Sequence, residues 1–177
     1  MIKFPVRLCL FGALALLAAA PVAKGSGAQM CVLTQHDFQS LGIAVESKPA
    51  VNLDDNGASA YCVYRGKSGA TGGVELDVFY PSGSNAEEIG NTWKATLGSD
   101  PGAQYEPEHL RGVDESVYSL EVPQAGHPAF AANAVRRGDL IFTISLPSSP
   151  NAKNQLLRLS QIVLSHFEIE MGGATPK

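Results

Sequence analysis

The chain has 177 residues, of which 45% are hydrophobic, 17% charged and 7% aromatic, with a formal net charge of −4. That length and balance fit one domain able to bury a sound core. They exclude a pair of ordinary catalytic domains, a disordered chain, and a fibrous or repeat architecture.

Residues 1–28 read as an export signal. Lys3 and Arg7 open the chain, no acid precedes Asp37, and residues 8–20 are apolar and rich in Leu and Ala. That run is shorter than the roughly 20 apolar residues a membrane-spanning helix needs. Small residues at Ser26 and Ala28 favour cleavage before Gln29, with cleavage after Ala23 as second choice and an uncleaved anchor as the alternative. Cys9 lies inside the apolar run without a lipobox, so no lipid anchor is expected, and no later stretch suits a membrane span. The expected location is periplasmic or secreted. Losing Lys3, Arg7 and Lys24 with the signal leaves ten bases against 17 acids, a net charge of −7. No basic cluster exists beyond Arg136-Arg137, which argues against a nucleic-acid or anionic-lipid partner. Two cysteines then remain, Cys31 and Cys62. An even count in an oxidising compartment points to one disulfide, two buried free thiols being the alternative.

The single domain is expected over residues 29–171, with a loose tail at 172–177. Thr34 and Asp37 form a capping box for a short helix that ends at Leu41-Gly42. Ile43–Lys48 reads as a strand stopped by Pro49, and Asn52–Gly57 as a turn. Ser59–Arg65 is a strand, the four glycines of residues 66–73 a hairpin loop, and Val74–Tyr80 the clearest alternation, with Val74, Leu76 and Val78 inward. Ser84 caps a second helix with Glu87 in the capping-box position, and Ile89, Trp93 and Leu97 form its apolar stripe. Gly98–Gly112 is a long irregular stretch with room for a short strand near Tyr105. Strands follow at Ser116–Val122, Ala129–Arg136 and Leu140–Leu146, the last two joined by a tight turn at Arg137-Gly138-Asp139. The final helix buries Leu156, Leu159, Val163 and Phe167, which are expected on the sheet face bearing Phe142 and Ile144. Val117, Val135 and Ile141 place apolar groups on the second sheet face, as helices on both faces require. The fold class is α+β: a mainly antiparallel sheet of about six strands covered by about three helices.

Several of these residues carry a resemblance. Cys31-Val32-Leu33-Thr34, the helix ending at Leu41-Gly42, and Tyr61-Cys62-Val63-Tyr64 resemble a broad group of small exported bacterial proteins, many of them actinobacterial lipoproteins of unknown function. Residues 112–118 look like that group's Gly-x-Gly-Asp-Glu-Ala-Tyr segment, and Arg137-Gly138 like its basic-Gly hairpin. The resemblance covers most of residues 31–165 and rests on short structural motifs. It implies a PsbP-like α/β sandwich, a disulfide between the two cysteines, and binding or sensing at the envelope, with no catalytic residues to carry over. The chain departs from the pattern at Ser116, where a small Ala is usual, at Val113-Asp114, where Gly-Asp is usual, and in lacking a lipobox.

Motifs for chemistry fail one by one. Gly66-Lys67-Ser68 lacks the earlier glycine of a P-loop, since Tyr61 holds that place, and a strand follows it. A calcium loop drawn through Gly57 ends at Val63 rather than a glutamate. The histidines, His36, His109, His127 and His166, are scattered; only His109, with Glu106 and Glu108, has acidic neighbours, and a solvated loop is the simpler reading. Neither G-x-S-x-G nor S-x-x-K occurs, and adjacent carboxylates such as Asp114-Glu115 do not face each other. No catalytic residue, cofactor or metal is therefore assigned. The expected function is an exported non-catalytic binding or accessory domain whose partner is an envelope protein or a small ligand. The alternative is an envelope hydrolase whose catalytic residues are dispersed along the chain. Tyr105 and His109 are the candidate recognition residues, in an unusually long loop. A tyrosine there suits an interface, and His109 among acids would give binding a pH dependence near about pH 6–7. Against this, Tyr105 in an edge strand would simply complete the core.

Overall fold

The alternation at residues 74–79 marks an inner strand of the sheet. The structure is a computed structural model describing residues 29–54, 57–67, 72–80, 84–98, 103–121 and 129–171. The expected signal, the middle of the glycine stretch, His127 and the tail lie outside the described residues. Val74–Phe79 pairs on one side with Ser59–Tyr64 and on the other with Leu140–Pro147. In chain order the strands are β1 (Ala50–Leu53), β2 (Ser59–Tyr64), β3 (Val74–Phe79), β4 (Gln104–Pro107), β5 (Glu115–Leu120), β6 (Phe130–Arg137) and β7 (Leu140–Pro147). They form one seven-stranded antiparallel sheet in the order β1-β2-β3-β7-β6-β5-β4. Three helices accompany it among the described residues: α1 (Gln35–Ser40), α2 (Ala86–Gly98) and α3 (Ala152–Met171). The class is α+β.

Among the described residues the strand count is seven rather than about six, and both differences lie at sheet edges. The strand expected at Ile43–Lys48 contributes only a bridge from Val45 to Gly66. Pro49 does break the chain there, but the edge resumes directly beyond it as β1, which runs into what read as a turn. The second is β4, the short strand for which the long irregular stretch had room near Tyr105. Every residue of both edge strands is exposed, so neither shows the inside–outside alternation that marks a strand in a sequence.

One sheet face carries the main core. Tyr64, Leu76, Val78, Val135, Phe142 and Ile144 share a buried cluster with Leu156, Leu159, Val163 and Phe167 of α3. The helical stripe is therefore the expected one, on the expected face. Val135 belongs here, however, not on the second face. Strand β6 presents Ala134, not Val135, to α2, where it meets Trp93 and Ile141, with Ile89, Leu97, Phe79 and Val117 around them. Runs of alanine on β6 hide the alternation that would have assigned the faces.

A buried polar chain fixes α3 on the sheet. The Ser116 hydroxyl donates to Asn133 Oδ1 at 3.2 Å, and Asn133 Nδ2 donates to the Ser160 hydroxyl at 2.8 Å. All three residues are buried, so each hydrogen bond removes a desolvation cost and rewards one register of helix against sheet.

Local signals set the ends of the elements. Thr34 and Asp37 form the expected reciprocal capping box of α1. The cap of α2 is Asn85, whose Oδ1 accepts the Glu88 N–H at 2.9 Å, one residue beyond the expected Ser84. Both side chains suit the role, and a sequence does not say which of two adjacent polar residues leaves helical geometry. At the β6–β7 turn Gly138 has φ +60°, the first-position glycine of a type II′ hairpin, and its N–H donates to Asp114 Oδ2 at 2.7 Å.

Candidate functional site

Strand β4 runs antiparallel to β5, with Tyr105 opposite Ser119 and Glu106 opposite Tyr118. Tyr105 is an edge-strand residue, 40% exposed, and His109 lies exposed two residues past the strand end. The acids beside His109 are engaged elsewhere. Lys153 of α3 pairs with Glu106 at 3.1 Å and with Glu108, and lies 5.0 Å from the Tyr118 ring centre. These two carboxylates hold the Lys153 ammonium above its ordinary range. Leu110 is buried just beyond. The segment from Gln104 to Leu110 is thus tied to α3 and β5, and its acids face a lysine instead of His109.

The second sheet face reads as rows across the strands. One row runs Val63, Glu75, Ser145, Ala132, Ser119 and Tyr105. The next runs Asn52, Tyr61, Asp77, Thr143, Ala134 and Val117. Helix α2 covers the Ala134–Val117 end. The Tyr61 hydroxyl donates to Glu75, and burial, that hydrogen bond and the charges of Glu75 and Asp77 push its pKa up to about 12. The protein around Asp77 displaces water, which raises its carboxyl above the ordinary range, although its surface still reaches solvent.

That direction gives a pH test. A carboxyl easier to protonate when folded costs stability at any pH where it is ionised. The cost disappears below its unfolded pKa of about 3.8 and is complete above the raised folded value. Asp77→Asn is therefore expected to melt above wild type at pH 7, with the two melting curves converging as pH falls below about 4.

Under α2, Glu115 accepts from Trp93 Nε1 and from Arg136, each at 2.6 Å. Glu115 anchors the helix while its neighbour Asp114 holds the hairpin turn, so the adjacent acids serve two structural roles. Trp93 is a core residue, 6% exposed.

Tyr64, packed 4.8 Å from the Phe38 ring, has its hydroxyl pushed well above its ordinary range by burial. Among the described residues the perturbed groups therefore occupy three separate places: Tyr64 in the core, Tyr61 and Asp77 on the second face, and Lys153 at the start of α3. Among the described residues no group of three His, Cys, Asp or Glu is placed to hold a metal.

A hollow of about 310 Å³ opens beside the start of β3, the end of β7 and the first turn of α3. Its walls are Gly42–Val45, Gly72–Val74, Leu146 and Pro147, with Gln155 of α3 at one side. None of these described lining residues titrates. Gln155 is partly committed, since its Nε2 donates to the Leu41 carbonyl at 3.0 Å. A second hollow of about 220 Å³ shares Gly42–Val45 and adds Gln39 and Lys67. Gly73 is required in this wall: a Cβ there would lie 2.2 Å from the Tyr64 carbonyl oxygen. The hollow joins three stretches far apart in sequence, residues 42–45, 72–74 and 146–155, and only the glycines at 72 and 73 hinted at it, where they read as a hairpin loop.

Cys31 and Cys62 form a disulfide, with Cα atoms 5.7 Å apart. It ties the segment before α1 to the middle of β2. No protein-family model and no curated protein matches the chain. Among the described residues no helix is long and apolar enough to cross a membrane.

Proposed function

We propose that the protein is an exported, non-catalytic binding domain that takes a small, mainly apolar ligand in the hollow beside Gly42–Val45. One observation carries this reading. The hollow's described walls are mainly apolar, with Gln155 as their polar side chain, and hold no titrating group. Its volume lies at the lower end of the range for small-ligand sites, about 300–1,000 Å³. An enzyme would gather perturbed groups around its cleft; here they lie in three other places. The disulfide is consistent with an oxidising compartment, and the apolar run at residues 8–20 supports export. The relationship to small exported bacterial proteins and to PsbP-like sandwiches belongs to this proposal and is supported by the motifs that Cys31 and Cys62 carry.

The test has two parts. The mature protein, recovered from the periplasm or medium of its producing cell, is expected to begin at Gln29 and to carry a small molecule in native mass spectrometry. Ala44→Trp, which fills the mouth of the hollow, is expected to lose that mass while melting like wild type. Retention of the ligand by Ala44→Trp would overturn the site. Ester or amide hydrolysis abolished by replacing one carboxylate or hydroxyl would overturn the non-catalytic reading.

A further inference from the structure

We infer that two copies of this chain associate through the β1 edge, pairing β1 antiparallel with β1 of the second copy about a two-fold axis at Asn52. The two edges of the sheet differ in chemistry. Strand β4 carries Pro107, which has no N–H to offer, and Glu106, which is paired with Lys153. Proline and charge are common protections of an edge strand. Strand β1 reads Ala50-Val51-Asn52-Leu53, with neither, and all four residues are exposed. Among the described residues, three of the four large exposed hydrophobic side chains also lie at this edge, the fourth being Tyr105 of β4. Val51 is 42%, Leu53 48% and Tyr61 38% exposed, all on β1 or its neighbour β2. Val51 and Leu53 stand opposite Cys62 and Ala60, so they continue the main core face past its last covered strand.

The occupant is a second copy because the strand complements itself. With Asn52 opposite Asn52, Val51 of each copy stands opposite Leu53 of the other. Residues directly opposite in an antiparallel pair are on one face, so the four apolar side chains meet in a patch that joins the two cores. The asparagines fall on the other face, beside Tyr61, the ladder partner of Asn52. Charge agrees as well. Lys48 precedes β1 and Asp54, whose Oδ1 also accepts the Ser59 N–H, follows it, so the antiparallel arrangement sets Asp54 of one copy two positions from Lys48 of the other. Centring the axis on Val51 would set Pro49 opposite Leu53 and lose a ladder hydrogen bond. A one-residue shift would set Asn52 against apolar side chains of the opposite face. The paired edges are short compared with a standard interface, so the association is reversible and depends on concentration. β1 lines neither hollow, so the inference stands apart from the ligand reading.

Sedimentation of the mature, disulfide-intact chain tests this across a concentration series. The weight-average mass is expected to rise toward twice the monomer. Leu53→Lys is expected to remain monomeric at every concentration while melting like wild type. Asn52→Cys is expected to give a covalent dimer on mild oxidation, since directly opposed Cα atoms lie about 4.5–5.5 Å apart, within disulfide range. Ala50→Cys, which faces Asp54 in this register, is expected to cross-link at least ten-fold less. A wild-type chain that stays monomeric, as it would if the edge served a strand of another protein, would overturn the inference. So would a dimer that survives Leu53→Lys, or equal cross-linking at positions 50 and 52.

Discussion

Replacing Leu159 by alanine is expected to destabilise the domain by about 2–5 kcal/mol, the range for removing a large aliphatic side chain from a core. Leu159 is fully buried in the cluster that joins α3 to β3, β6 and β7. The stripe of α3 is Ala152, Leu156, Leu159, Ser160, Val163, Leu164 and Phe167, all buried, at the spacing of one helical face. Leu159 lies beside Ser160, whose hydroxyl accepts from Asn133, and that bond limits how far the helix can slide to fill the void. Incomplete relaxation places the cost toward the upper half of the range. At roughly 3 °C per kcal/mol for a domain of this size, the melting temperature should fall by about 6–15 °C. Thermal denaturation followed by far-UV circular dichroism measures it. Gln161→Ala, on the exposed side of the same turn, should change little. Equal melting of the two variants would mean that α3 does not hold the core.

How far the fold was legible depended on whether an element has one buried and one solvated side. Residues 74–79 alternate because Val74, Leu76 and Val78 lie under α3 while Glu75 and Asp77 reach the second face. The α3 stripe and the α1 capping box were equally plain, since period and cap chemistry are local. Strand β1 was not, and β4 was legible only as room for a short strand near Tyr105, because an exposed edge strand has no alternating demand on its residues. The face of Val135 was misjudged because β6 carries alanines on both faces, so small residues mask the pattern and only the β6–β7 register resolves it. Tyr105 was legible as an exposed aromatic. The engagement of Glu106 and Glu108 by Lys153 was not, because a lysine more than forty residues away leaves no local trace. The hollow was invisible for the same reason, its walls being assembled by the sheet from distant segments.

Removing the Cys31–Cys62 disulfide is expected to destabilise the domain by about 3–4 kcal/mol, from the chain entropy the cross-link withholds from the unfolded state. The two residues are 31 apart in sequence, so the closed loop is long enough for a substantial effect. The folded state gives a reason to expect little compensating relief. Cys62 is fully buried and paired on both sides, with Val51 of β1 and Leu76 of β3. The strand therefore keeps its place when the bond is cut. The segment before α1 retains anchors of its own, since Met30, Leu33 and Phe38 are buried and Phe38 packs on Tyr64. Reduction should accordingly leave the fold recognisable and the unfolding cooperative, while the melting temperature drops by about 10 °C at roughly 3 °C per kcal/mol. The cleanest comparison uses the wild-type chain with and without reductant, with Cys31→Ala, Cys62→Ala as a second route to the same state. Hydrogen exchange should accelerate most in residues 29–42, which then rest on the burial of Met30, Leu33 and Phe38 and on hydrogen bonds such as that from Gln155 to the Leu41 carbonyl. Two thiols that alkylate in denaturant without reductant would show that the bond is not present. A reduced protein that melts with the oxidised one would show that the loop is already constrained in the unfolded chain.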